Sequence, residues 1–449
     1  MSTAFSAFVD WPFAPLTERL VTRALQSLPD KPSEVGSDLT SLNKSRCLQW
    51  SSYDSIDHDL TLANPTTVLS SSYTIRKALI RKHFLHRCIH SYTVKNPHSI
   101  LSSTVPKTWD IDISYADELE ELWSDDLWDL GNELDAQSES ETKKWWILKP
   151  SMADRGMGIR LFDSKDALRD IFEGFDEDTD SENEGENDSL PGDTSVFTSQ
   201  LRYFVIQEYL HNPVLIDPNE VHTTGSENEP IKSDLQGHKF HLRAYCIASG
   251  DLTVYLYKRV LALFSAVPYS QPGTATDLDL RPHLTNTCLQ NDHDERNVRL
   301  LDELVGCQLL SSSNEAHFTD SDKNSLIDQM AEILANTFEA AVQNPVHFQA
   351  LPNAFELYGV DFLVTQESAA GTGALQAKLL EVNAEPAIEM TGPRLTWVLE
   401  DLFKAIADTC VEPFFRNHHP RSTSEEKEPK KADEKEVLLR ECYKRQRWA

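Results

Sequence analysis

The sequence predicts a mixed fold, α+β with α/β character, and three observations predict it. Lys239-Phe240-His241-Leu242-Arg243-Ala244-Tyr245-Cys246-Ile247 alternates with the period of a strand, and Ser249-Gly250-Asp251 turns it back into Leu252–Val260 as a hairpin. Gly359–Val364 and Leu379–Ala384 read as two more strands, joined through an Ala/Gly/Thr-rich segment from Ser368 to Ala374. Leu326, Ile327, Met330, Ile333, Leu334 and Phe338 recur at helical spacing, which predicts an amphipathic helix over 323–342.

Length and composition narrow the class. The chain has 449 residues, enough for roughly three units of ordinary size, and 40% hydrophobic content supports real cores. No run approaches the eighteen or so apolar residues of a membrane-spanning helix, so no membrane association is expected. Met1–Asp10 lacks the basic start of a secretory signal. Seven cysteines (47, 88, 246, 288, 307, 410 and 442) are dispersed without CxxC spacing, which favours free thiols and a cytoplasmic location. A net charge of −30 argues against direct nucleic-acid binding.

In chain order, residues 1–104 form a leading domain. Thr17 is placed as the cap of a helix running to Leu28, with Leu20, Val21, Ala24 and Leu25 inward. Tyr73–Leu85 reads as one helix whose Arg76, Lys77, Arg81 and Lys82 lie off the apolar stripe, either as a soluble surface or as a dock for an acidic partner. Residues 105–237 follow as a central unit: a linker at Val105-Pro106, a helix over Ala116–Leu134, and strands at Trp145–Pro150 and Tyr203–Leu210. It carries an acidic, disordered insert at about 173–195 and a polar one at about 217–236. Residues 238–417 form the third unit, including a helix over Leu395–Phe403. Residues 418–449 read as a charged, solvated tail with a short helix near Val437–Tyr443.

Three groups of residues carry chemistry. Glu381 and Asn383 point to one face of their strand, and Asp361 joins them if the two strands pair antiparallel. Two carboxylates and an amide oxygen suit a hard cation such as Mg2+, although the solvated face of a hairpin also favours these residues. Lys149 ends a strand, and Arg155-Gly156-Met157-Gly158-Ile159 follows. Such a turn brings backbone N–H groups and cations to phosphate oxygens, or simply makes a tight hairpin. Lys239, His241 and Arg243 share a strand face with Tyr245, a cationic row suited to an anionic ligand or to solvent.

Taken in order, seven motifs across 145–390 resemble the tubulin–tyrosine ligase family, whose domain is an ATP-grasp fold. They are Trp146–Pro150, Arg155–Ile159, Gln207–Leu210, Lys239–Arg243, His283–Asn286, Tyr358–Asp361 and Leu380–Ala384. The Arg76–Leu85 segment is similar to part of the family's smaller N-terminal α/β domain. The Phe8-Val9-Asp10-Trp11-Pro12 opening resembles the fungal branch, which includes proteins associated with cytoplasmic mRNA-processing bodies (P-bodies) and decapping factors.

The resemblance implies an ATP- and Mg2+-dependent ligase that joins a free amino acid to a protein or peptide carboxylate, with the tubulin C-terminal tail as the family-level acceptor. By the family pattern, Lys149, Arg155, Gly156, Gly158 and Ile159 hold phosphates. Gln207, Glu208, Tyr209 and Leu210 form the adenine hinge. Lys239, His241, Thr285 and Asn286 line the nucleotide site, Lys239 and Arg243 act in catalysis, and Asp361, Glu381 and Asn383 ligate Mg2+. Three positions depart from that pattern. His241 replaces an aspartate, Glu208 replaces a common lysine, and Leu263 stands where the family carries a reactive arginine, with Arg259 or Lys258 as the nearest substitutes. Loss of a transition-state cation lowers rates by orders of magnitude. The alternative implied is an ATP-binding scaffold of little or no activity that docks mRNA-decay factors in P-bodies.

Overall fold

A computed structural model describes residues 4–137, 143–152, 157–180, 202–221, 234–273, 279–285, 297–312, 315–366, 373–417 and 438–446. Three sheets organise the chain. The first is parallel, in the order β2-β1-β3-β4, from β1 (Ser6–Phe8), β2 (Glu34–Gly36), β3 (Cys47–Gln49) and β4 (Val68–Ser70). The second is antiparallel, in the order β5-β8-β6-β7, from β5 (Thr108–Asp112), β6 (Trp146–Pro150), β7 (Arg160–Phe162) and β8 (Tyr203–Glu208).

The third sheet has eight antiparallel strands. They are β9 (Leu215–Ile216), β10 (His238–Ser249), β11 (Thr253–Tyr257), β12 (Leu261–Phe264), β13 (Val298–Leu300), β14 (Phe355–Gln366), β15 (Leu375–Ala384) and β16 (Leu439–Lys444). β10 is its axis. It pairs along one edge with β12 and then β11, and along the other with β14, which pairs in turn with β15.

Strand periodicity divides the cores. Phe240, Leu242, Ala244, Cys246 and Ala248 enter one large core with Leu326, Met330, Leu334 and Phe338 of the helix Asp320–Val342. Tyr245 and Ile247 enter another, shared with Leu20, Val21 and Leu25 of the helix Pro15–Ser27 and with Leu399, Leu402 and Phe403 of the helix Thr396–Ile406. The central sheet is therefore covered on both faces, and Arg243, Asp361, Glu381 and Asn383 meet where β10, β14 and β15 pair. The second sheet keeps a separate core, in which Trp146, Leu148, Phe204 and Ile206 meet Leu168, Phe172 and Phe175.

Several sequence expectations change. The first helix begins at Pro15, pre-set for a first helical turn, and Thr17 lies inside it, buried and donating to Glu389 at 3.2 Å. The single helix expected over Tyr73–Leu85 is two, Lys77–Ile80 and Lys82–Lys95, broken where Arg81 takes an extended conformation (φ −110°, ψ 117°). Arg76 is no surface cation: it is 7% exposed and paired with Glu356, itself 2% exposed. The expected linker after Val105 contains β5, which pairs with β8, and the helix predicted over Ala116–Leu134 is interrupted, with its longest piece at Trp128–Ala136.

A helix Lys165–Asp180 enters the segment expected as an acidic disordered insert, the rest of which, 181–195, lies outside the described residues. In the tail the helix expected near Val437–Tyr443 is instead strand β16, which pairs with β11. Leu439 is buried there, and the ladder offers backbone partners that a short isolated helix would lack. No helix among the described residues is long and apolar enough to cross a membrane.

Candidate active site

The site begins with register. β14 and β15 pair with Asp361 opposite Glu381 and Gly359 opposite Asn383, and a bulge follows Asp361. On the other side of β14, Arg243 lies opposite Asp361. Its guanidinium grips that carboxylate with two donors, Nε to Oδ1 and Nη2 to Oδ2, the second at 2.9 Å. Asn383 Nδ2 lies 3.2 Å from Asp361 Oδ2 and 3.2 Å from Glu381 Oε1, an N–H2 group bridging two anions. Gly359 permits this closeness. A Cβ there would sit 2.7 Å from Pro386 Cβ and 3.2 Å from Arg243 Cδ.

This donor set fits a hard divalent cation. The Asn383 amide bridges the two carboxylates through its N–H2 group, and rotation of the amide would present its oxygen as a third donor. Among the described residues no three His, Cys, Asp or Glu side chains form a metal-holding group. The set is thus two carboxylates and an amide, which leaves coordination to be completed by water or phosphate, as Mg2+ prefers.

Charges around the cluster are strongly coupled. Burial works to raise the Glu381 carboxyl pKa, but Lys82, Lys149, the Asn383 hydrogen bond and Arg243 outweigh it and hold it at about 2. Burial depresses Lys149 to about 8, despite Glu381 and Asp361, and depresses Lys239 to about 7, helped by Lys149. His241 is likewise lowered, chiefly by burial, and Nδ1 shares a short hydrogen bond with Thr285 Oγ1. Burial opposes the Arg243 charge, yet Asp361 more than offsets it and the net shift is upward.

A second group joins residues of the second and third sheets. Lys149 donates to Gln207 Oε1 at 2.7 Å, and Gln207 Nε2 donates to Thr108 at 3.1 Å. Lys239 Nζ lies 4.5 Å from the centre of the Tyr209 ring, whose hydroxyl is 3.0 Å from His283 Nδ1. Ile147, Ile159, Leu161, Tyr209 and Leu284 form a small apolar cluster here, a surface suited to a planar base beside two buried ammonium groups. Gly158 adopts φ +70°, the left-handed conformation expected of a glycine turn. Glu208 ends β8, and its N–H and that of Tyr209 donate to Lys107 and Trp145; Leu210 follows, half-buried.

A cleft of about 670 Å3 is lined by His241, Arg243, Thr285, Asp361, Glu381 and Asn383. Leu263 lines it too, directly opposite His241 in the β10–β12 pair. Arg259 is not brought into it. That side chain pairs with Asp401 and stacks over Trp397 at 4.7 Å, so the expected substitute cation is engaged elsewhere. Arg155, Gly156 and Asn286 lie outside the described residues.

Four basic residues from the N-terminal part of the chain enter the site region, and the sequence does not announce them there. Arg76, Lys77 and Arg81 line the cleft, and Lys82 Nζ lies 3.4 Å from Glu381 Oε2. The signal was the basic run itself, which reads equally as a solvated helix face.

Residues 65–419 match the model of the tubulin-tyrosine ligase family. The chain belongs to that family. Within it, the chain is 37% identical over 416 residues to the probable tubulin–tyrosine ligase PBY1 of Saccharomyces cerevisiae, covering 88% of this chain and 50% of that protein. It is 38% identical over 399 residues to a probable tubulin–tyrosine ligase of Schizosaccharomyces pombe, covering 86% and 88%. The chain thus spans about half the length of the first relative and most of the second. Among solved structures, it superposes on the C-terminal domain of K. lactis Pby1 with TM-score 0.65 and 29% identity, over 99% of this chain and 100% of that one. That domain is described as an ATP-grasp enzyme interacting with the mRNA decapping enzyme Dcp2. The fold here is accordingly ATP-grasp, as the seven tubulin–tyrosine ligase motifs implied.

Proposed function

We propose that this chain is an ATP- and Mg2+-dependent ligase that attaches an amino acid to a protein carboxylate through an acyl phosphate. One observation carries the reading: the Arg243–Asp361–Glu381–Asn383 cluster opens onto a cleft of about 670 Å3, and the buried Lys149 is close enough to feel the charges of Glu381 and Asp361. Asp361, Glu381 and Asn383 would hold Mg2+, which when bound neutralises charge on the transferring phosphoryl group. Lys149 and the Arg155–Ile159 turn hold phosphates, and the Gln207–Leu210 segment borders the base. Thr285, Asn286 and His241 flank the nucleotide.

The acceptor carboxylate oxygen attacks the γ-phosphorus and ADP leaves. The amino acid's neutral amine then attacks the acyl carbon, phosphate leaves, and the amide nitrogen loses a proton. Arg243 and Lys239 are the catalytic residues of this reading, placed to bind the oxygens on which charge accumulates. The acceptor class is a protein or peptide carboxylate, with the acidic tubulin tail as the family-level candidate. The expected location is the cytoplasm.

The test is turnover. With ATP, Mg2+, tubulin or cell extract, and labelled Tyr, Glu or Gly, label should enter protein and depend on Glu381. Measurable ATP binding with no transfer across these acceptors would refute ligation.

A second reading is supported by Leu263, whose apolar side chain lines the cleft, and by the Dcp2 interaction of K. lactis Pby1. In it the chain binds ATP and serves as a weakly active or inactive docking platform in P-body mRNA-decay assemblies. A Glu381→Gln protein that matches wild type in every cellular assay favours this reading; loss of function in a Glu381→Gln protein that still binds ATP contradicts it.

A further inference from the structure

The helix Lys82–Lys95 breaks a rule of its own kind. The N-terminal end of a helix carries partial positive charge and favours Asp or Glu in its first turn. This helix has no acidic residue in its first turn and begins with a lysine, preceded by Arg81 as its cap residue, which also contributes no side-chain cap bond. A local conflict of this sort marks a position kept for another purpose. The purpose is visible in what Lys82 faces: its ammonium lies 3.4 Å from Glu381 Oε2, with the two side chains only 20% and 22% exposed.

Counting charge around that carboxylate gives the consequence. Asp361 and Glu381 supply two negative charges. Arg243 is bound to Asp361, Lys82 stands beside Glu381, and the Lys149 charge is also felt at Glu381. The cluster is therefore compensated by protein cations before any ion arrives. A bare divalent cation would have to settle within a few ångströms of Lys82 and Arg243 with no new anion to offset the repulsion. A metal carried by a nucleotide brings its own phosphate charge.

We propose that Lys82 is a positioning residue, a resident counter-ion that holds Glu381 in place and makes divalent-metal binding conditional on the nucleotide. This rests on the reading of Asp361, Glu381 and Asn383 as a metal–nucleotide site, and deepens it. When the metal–nucleotide complex enters, the ammonium turns from the carboxylate to the phosphate oxygens, so the lysine opposes the ion alone and favours it in the complex.

The experiment measures Mn2+ retained with the full chain on ultrafiltration, against a protein-free control, with and without a non-hydrolysable ATP analogue. Wild type should bind Mn2+ weakly alone and tightly with the analogue. Lys82→Met should bind Mn2+ alone roughly tenfold more tightly, the scale of removing one unit charge about 5 Å from a divalent ion in a water-accessible cleft. Lys82→Arg should behave as wild type, and thermal melting of both variants checks that they are folded. Wild type that binds Mn2+ equally well without the analogue overturns the proposal, as does a Lys82→Met protein with unchanged affinity for Mn2+ alone. In those cases tight binding with the analogue leaves the metal–nucleotide reading standing. No retention of Mn2+ by any protein, with or without the analogue, overturns both.

Discussion

Replacing Arg76 by methionine tests how the N-terminal part of the chain is tied to the central sheet. Glu356 is 2% exposed and accepts from the Arg76 guanidinium, from Tyr358 Oη at 2.7 Å and from the Tyr73 N–H at 3.2 Å. Arg76 also stacks over Tyr53 at 4.0 Å and lies 3.8 Å from Glu385. Burial raises the Glu356 pKa, and Arg76 is the largest influence against that rise. Removing the arginine alone leaves a carboxylate in a dry environment with two neutral donors, at a cost of about 3–5 kcal/mol.

The exposed pair Arg23–Glu400, with side chains 68% and 42% exposed, is the internal control; Arg23→Ala should cost about 0–1 kcal/mol. Denaturant unfolding followed by tryptophan fluorescence reads both. The Arg76→Met deficit should shrink as pH falls. With Glu356 held above its unfolded pKa, the folded state binds the extra proton, so stability declines as pH rises through the window between the two values. Adding Glu356→Leu should recover most of the loss, because no buried charge then remains. An Arg76→Met protein no less stable than Arg23→Ala would refute the buried-pair argument.

Four further outcomes follow from the site and the sheet. Nucleotide binding at pH 8 should take up protons, because phosphates favour the charged forms of Lys149 and Lys239, which burial holds at about 8 and about 7 in the free protein. Calorimetry in buffers of differing ionisation enthalpy measures this, and zero uptake between pH 7 and 9 contradicts it. In the free protein the same two lysines bind fewer protons than the unfolded chain, so their contribution to stability should rise from pH 7 towards 10. Gly359→Ala should cost about 1–3 kcal/mol and weaken nucleotide binding, since its Cβ collides with Pro386 and crowds Arg243; unchanged melting and affinity would show that the strands shift freely. Truncation after residue 437 should lower the melting temperature and expose the β11 edge to association, read by light scattering; a monodisperse, equally stable product would show that β16 contributes nothing.

Legibility in the sequence followed the range of the signal. The Asp361, Glu381 and Asn383 grouping was readable because alternation along one strand and pairing of sequence neighbours are local facts, and β14 and β15 do pair with Asp361 opposite Glu381. The row Lys239, His241, Arg243 was readable for the same reason. Arg76 was not, because its partner Glu356 is 280 residues away and a cation within a helical pattern defaults to solvent. Lys82 was hidden likewise: its counter-ion belongs to the last long strand of the fold. β16 is not legible because six residues in a charged tail carry too little periodicity, and the partner that makes them a strand lies on β11. Arg259 is near in sequence to the expected arginine position, but Asp401 and Trp397 determine where its side chain goes.

The central claim is that the cleft activates a carboxylate with ATP, and oxygen tracing tests it most directly. A peptide acceptor carrying 18O in its carboxylates is incubated with the protein, Mg2+, unlabelled ATP and an amino acid, and the released phosphate is analysed by mass. The acyl-phosphate route predicts one 18O atom in the phosphate for each amide formed. Release of only unlabelled phosphate, with no amide product, would contradict it.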